Sequence, residues 1–108
     1  MPSYMIQLSY APATVASFVK TPTDRTKVIK GIAAKIGGKL AGSWLSFGDY
    51  DAVIIIDGSD NVSAVACAMA VTASGAFTKF KTTPLLTVEE SMTAMKKAGG
   101  LGYTPPGA

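Results

Sequence analysis

The six residues Ala52-Val53-Ile54-Ile55-Ile56-Asp57 constrain this chain more than any other stretch. Side chains alternate along a strand, so Ile54 and Ile56 leave one face, Val53 and Ile55 leave the other, and both faces are apolar. A strand of this kind belongs in the middle of a sheet covered on two sides. A second apolar run over 40–47 holds Trp44, and Gly48-Asp49 between the two runs are turn formers, so the region from Lys39 to Asp57 reads as a hairpin.

The remaining elements arrange themselves around that hairpin. Residues 3–10 alternate, with Tyr4, Ile6, Leu8 and Tyr10 on one side and Met5, Gln7 and Ser9 on the other, which predicts a strand. Pro12 opens a short helix that ends before Pro22. Thr23 or Asp24 then caps a better helix reaching about residue 36, with Val28, Ile29, Ile32 and Ile36 at helical spacing and Lys27, Lys30 and Lys35 on its solvated face. Gly37-Gly38 stop it. A helix is predicted over 61–73, where Val62, Val65, Ala66, Met69 and Ala73 form the stripe expected to meet the sheet. Its outer face is then Ser63, Ala64, Cys67, Ala68 and Val71, small and uncharged, suited to close approach by another element of this chain or of a second copy. Residues 77–83 read as a strand with Phe77, Lys79 and Lys81 on one side and Thr78, Phe80 and Thr82 on the other, and Pro84 places it at an edge. Thr87 caps a last helix with Glu89 and Glu90 in its first turn, Lys96 and Lys97 in its last, and an apolar stripe of Val88, Met92 and Met95.

The order is βαββαβ with an extra C-terminal helix. Right-handed crossovers turn that order into an α+β, ferredoxin-like antiparallel four-stranded sheet with strands one and three in the middle and the helices on one face. Residues 1–98 form the domain, and 99–108 form a Gly/Pro-rich tail whose only anchors are Leu101 and Tyr103. The other sheet face, with Met5, Gln7, the Val53 and Ile55 set and one side of the Trp44 strand, has no cover of its own. A large apolar side chain gains about 1.5 to 3 kcal/mol on burial, so a homodimer closed face to face is expected.

Composition narrows the function. The chain has no histidine and one cysteine, which excludes Ser-His-Asp and Cys-His nucleophile systems, His-ligated zinc, a proximal-His haem and an internal disulfide. No cofactor or metal is expected. Cys67 reads as a small buried apolar residue. The N-terminal residues lack a basic and then long apolar leader, and residues 62–77 are too short and too rich in Ala, Ser and Thr to span a bilayer, so a cytoplasmic protein without a membrane partner is expected. The net charge of +3 resides largely in a helix face, and the third strand offers only aliphatics where an RNA-recognition module presents aromatic rings, so no nucleic-acid partner is expected either.

The segment Gly48-Asp49-Tyr50-Asp51-Ala52-Val53 resembles the signature of the GYD domain family, a branch of the dimeric α/β-barrel, ferredoxin-like group. Pro22, Arg25, the Gly37-Gly38-Lys39-Leu40 exit, the acidic turn near Asp60, the residues 82–87 and Glu89-Glu90 extend the likeness over roughly Tyr4 to Lys97. The resemblance implies a dimeric barrel of two sheets. It assigns no activity, because relatives in the wider group range from cofactor-independent monooxygenases and haem-degrading enzymes to ligand-sensing domains.

Two sets of side chains stand out as site candidates. Tyr50 and Asp51 follow the hairpin turn, where a phenol and a carboxylate can act as donor and general base. In the plainer reading Asp51 accepts backbone N–H bonds, Gly48 supplies a conformation barred to other residues, and Tyr50 packs at the sheet end. Trp44, Tyr10 and Tyr4 can line an apolar pocket or serve as core and dimer contacts, and Arg25 can anchor a carboxylate of the chain or of an anionic ligand. The expected function is a small dimeric domain that binds an apolar or anionic small molecule through Trp44, Tyr50, Asp51, Arg25 and Tyr10, or acts as an interaction module. The alternative is a cofactor-independent monooxygenase or isomerase in which Tyr50 and Asp51 orient substrate and move a proton.

Overall fold

Eight elements follow one another in the computed structural model, which describes residues 2–107. They are β1 (Ser3–Tyr10), α1 (Pro12–Lys20), α2 (Thr26–Lys35), β2 (Lys39–Leu45), β3 (Ala52–Asp57), α3 (Asn61–Ala73), β4 (Phe77–Leu85) and α4 (Val88–Gly99). Met1 and Ala108, the outer ends of the expected domain and tail, lie outside the described residues. The sheet runs β2-β3-β1-β4 with each neighbouring pair antiparallel, the ferredoxin-like order with β1 and β3 in the middle and α4 added.

Register explains what is dry. Ile6 pairs with Ile54 and Thr82, Leu8 with Ala52 and Phe80, and Tyr4 with Ile56, so one row after another of apolar side chains faces the helices. Ile6, Leu8, Ala52, Ile54 and Ile56 form the buried core together with Ala33 of α2. On the opposite face Met5 stands beside Ile55, Gln7 beside Val53, and Trp44 on the other side of Val53; Met5, Gln7, Val53 and Ile55 are half-buried and Trp44 is exposed. Pro84 is tolerated inside β4 because that edge strand pairs only with β1.

The exit of α2 is locked onto β3. The Asp24 carboxylate accepts the Thr26 N–H at 2.9 Å at the start of the helix, and the buried Ser59 hydroxyl donates to the Ile36 carbonyl at 2.6 Å at its end. A methyl group on Gly38 would lie 2.7 Å from Ile56 Cγ2 and 2.9 Å from the Asp57 carbonyl oxygen, so only glycine lets the chain pass this close.

Two expectations about facing are overturned. The register between β1 and β4 shifts between Ser9 and Tyr10, so that Tyr10 pairs with Phe77 and not with the residue after it. The bulge rotates Phe77 away from Lys79 and Lys81 and packs it with Phe80 against the core, because one extra residue reverses the side to which a strand residue points. The second reversal is in α3. Ala64 and Cys67 are 7% and 6% exposed and face the sheet, whereas Val62 and Met69, from the stripe expected to meet it, are 81% and 68% exposed. Both faces of α3 are apolar and carry no charge, so spacing alone cannot choose between them; small side chains allow the nearer approach to β4, and dispersion favours it.

The last helix stands apart. Among the described residues α4 makes no extended contact with any other element, and the molecule measures 59 × 33 × 22 Å. Its radius of gyration of 17.4 Å exceeds the roughly 13 Å of a 100-residue globule, as a projecting arm requires. Leu101 and Tyr103 of the tail are exposed.

Candidate functional site

The two long helices of the domain do not close over the sheet. α2 lies towards β2 and α3 towards β4, and between them a cleft of about 280 Å³ opens onto the middle strands. Its floor is Ile6, Leu8 and Ile54; Ile29 and Ile32 of α2 form one wall, and Cys67 and Val71 of α3 the other. Phe77 and Phe80 close the β4 side. The register shift that turned Phe77 inward therefore also shapes this wall.

Tyr10 and Arg25 stand at the end of the cleft. Both, together with Ile29 and Ile54, also border an adjoining groove of about 390 Å³ that runs past Phe18 and Pro22 to β2, so the two hollows share a mouth bordered by these four residues. The Tyr10 ring is held edge-on by Phe18, 5.2 Å away at 82°, and Phe77 lies tilted against it at 5.7 Å and 39°. Burial pushes the Tyr10 phenol above its ordinary range, the nearby Arg25 guanidinium opposes this and the Asp51 carboxylate adds to it; the phenol therefore stays protonated, a donor, at neutral pH. Burial also raises the Cys67 thiol, which remains a thiol and not a nucleophilic thiolate. Arg25 forms no ion pair among the described residues.

Trp44 borders the adjoining groove from edge strand β2, with its ring laid over Gly42; a methyl group there would collide with the ring. Tyr50 and Asp51 border neither the cleft nor the groove. Asp51 ties the hairpin to β1: its carboxylate accepts the Tyr10 N–H at 2.9 Å, its own N–H donates to the Leu8 carbonyl at 2.8 Å, and its carbonyl accepts the Ser46 N–H at 2.8 Å. The Tyr50 carbonyl accepts the Ser46 hydroxyl at 2.8 Å, and the Lys79 ammonium lies 5.8 Å from the centre of its ring. Gly48 has φ +137°, a conformation side chains rarely adopt, which fixes the sharp reversal before these two residues. Tyr4 is buried and its hydroxyl donates to Asn61 Oδ1 at 2.6 Å, away from the cleft.

Of the residues singled out from sequence, the structure thus brings Tyr10 and Arg25 to the shared mouth, sets Trp44 at the β2 border of the groove and places Tyr50 and Asp51 at the hairpin end. The cleft walls were not read from sequence. One signal was there: Arg25, Ile29, Ile32 and Ile36 share a face of α2, so a cation heads an apolar stripe.

No helix among the described residues is long and apolar enough to cross a membrane. Comparison with curated proteins finds no match. The family model described as GYD domain matches residues 4–95, from the second residue of β1 well into α4. The hairpin carrying Gly48-Asp49-Tyr50 lies at the centre of that span, and the chain belongs to the GYD domain family.

Proposed function

We propose that this chain is a homodimeric small-molecule-binding domain whose cleft between α2 and α3 takes a small apolar acid. The observation that carries the reading is an apolar slot with, at its mouth, a protonated phenol and a guanidinium that forms no ion pair among the described residues. Hydrocarbon fills the space over Ile6, Leu8 and Ile54, while a carboxylate at the mouth accepts charge-assisted hydrogen bonds from Arg25 and a further one from Tyr10. The volume of about 280 Å³ lies just below the ~300–1,000 Å³ range of ligand pockets, so the occupant is small.

Face-to-face pairing through Met5, Gln7, Val53, Ile55 and Trp44 gives the dimer. It is supported by an apolar centre on the open sheet face, framed by Lys79 and Lys81 on one side and by the Ser3 hydroxyl donating to Asp57 at 2.7 Å on another. The free thiol of Cys67 supports a cytoplasmic setting. The oxygenase or isomerase alternative draws no support from the site, because Tyr50 and Asp51 stand outside the cleft.

Titration calorimetry with decanoate and with decanol tests the ligand reading. Decanoate is expected to bind the wild type more tightly than decanol, and Arg25→Met to weaken decanoate by about tenfold or more, the worth of a hydrogen bond to a charged group. Equal binding of acid and alcohol, untouched by Arg25→Met, would sink it. Sedimentation tests the face-to-face pairing: Ile55→Lys is expected to lower the association state below that of the wild type, and a wild type that is already monomeric at every concentration removes the pairing.

A further inference from the structure

Among the exposed apolar side chains outside the cleft and the open sheet face, the stripes of α3 and α4 stand out, and each has what the other lacks. The outer stripe of α3, made of Val62, Val65, Ala66 and Met69, is exposed on a rigidly packed helix. No charged residue occurs between Asp60 and Lys79, so nothing on that helix favours water over a partner. The stripe of α4, Val88, Met92 and Met95, is exposed on a helix that makes no extended contact with any other element among the described residues.

A helix of this kind does not form well by itself. α4 is 12 residues long, and isolated helices shorter than about 12 to 15 residues are marginal in water. Its start is nonetheless built with care: the Glu90 N–H donates to the Thr87 hydroxyl at 3.0 Å and the Thr87 N–H donates back to the Glu90 carboxylate at 3.0 Å. Only Leu86 and Thr87 separate the end of β4 from α4, and this reciprocal cap sets the direction in which the helix leaves. As it leaves this joint α4 makes no extended contact with its own α3.

We propose that α4 of one chain docks along the outer stripe of α3 on a second copy. The steps match: Val62, Val65 or Ala66, Met69 and Ala73 on one helix, Val88, Met92, Met95 and Gly99 on the other, both advancing by three and four residues as two packed helices require. Since each chain carries both stripes, a two-fold exchange satisfies all four. Complete removal of these side chains from water in both halves of the exchange sets its upper limit on the order of 1,600 Å², the size of a standard stable interface. The inference is independent of the cleft and of its ligand.

Cross-linking between separately prepared full-length chains tests it, in a Cys67→Ala background so that only introduced thiols react. A mixture of Val65→Cys and Met92→Cys chains treated with a short bismaleimide is expected to give a covalent two-chain product that neither variant gives alone. Product from Met92→Cys alone would mean that α4 pairs with α4, and its formation, or the absence of product from the mixture, overturns the proposal. Hydrogen exchange of the unaltered protein gives a second reading that needs no variant. The α4 amides are expected to lose protection by about tenfold or more on dilution below the assembly concentration, and protection independent of concentration overturns the docking.

Discussion

α3 and α4 are nearly the same length, 13 and 12 residues, and reverse the usual association between a well-written helix and a well-docked one. α4 has a reciprocal cap, acids in its first turn, lysines in its last and a clean apolar stripe, yet makes no extended contact with any other element among the described residues. α3 has one cap, through Asp60, no charge along its length and little contrast between its faces, yet it is the helix that the sheet holds. The difference teaches that local signals decide whether a helix forms, whereas docking is decided by how closely its backbone can approach. Ala64 and Cys67 allow that approach, and a longer side chain at either would forbid it.

The contrast is most easily broken by enlarging matched alanines. Ala64→Leu should destabilise the domain by about 1 to 3 kcal/mol in urea unfolding, because it forces α3 off the sheet. Ala94→Leu, on exposed α4, should stay within about 0.5 kcal/mol. Equal effects would mean that the two helices are equally supported. Removing the caps sharpens the same point with a smaller effect. Asp60→Ala should lower the main unfolding transition, whereas Thr87→Ala should appear as lost helicity by circular dichroism with the main transition unmoved in dilute protein.

Acid gives a third comparison. The Ser63 N–H holds the Asp60 carboxyl below its ordinary range, and the Thr87 N–H does the same for Glu90. Depressed folded-state values mean that both caps stabilise above the ordinary carboxylate range of about 4 and fade as pH falls through the lowered values. α4 has only its cap, so its helical signal should go first, with α3 retained by the sheet. Simultaneous loss would contradict this ordering. The smallest effect belongs to Met69→Lys, which at dilutions where chains are single should leave stability within about 0.5 kcal/mol, since this side chain faces outward.

The sheet was legible from the chain because its strands alternate or are apolar throughout, and because the order βαββαβ leaves few topologies. Facing was less legible. Nothing in the residues 77–83 marks the bulge that turns Phe77 inward, since it arises from how β4 meets Tyr10 on another strand. The two sides of α3 differ in size and not in polarity, so a period of 3.6 finds the helix but not its seat. Tyr10 and Arg25 meet only once α2 has folded over the sheet, and 14 residues of unrelated sequence lie between them. Asp51 looked like chemistry because a carboxylate after a turn can be either a base or a backbone clamp; its bond to the Tyr10 N–H is made across strands and has no local signature.

The indole laid over Gly42 gives this protein a built-in reporter. It is the only tryptophan, and it stands on the sheet surface proposed to meet its twin. Fluorescence emission excited at the indole band therefore comes from one known place. A red shift on dilution would time the separation of two sheets without any dye, and quenching by iodide would tell how wide the seam opens.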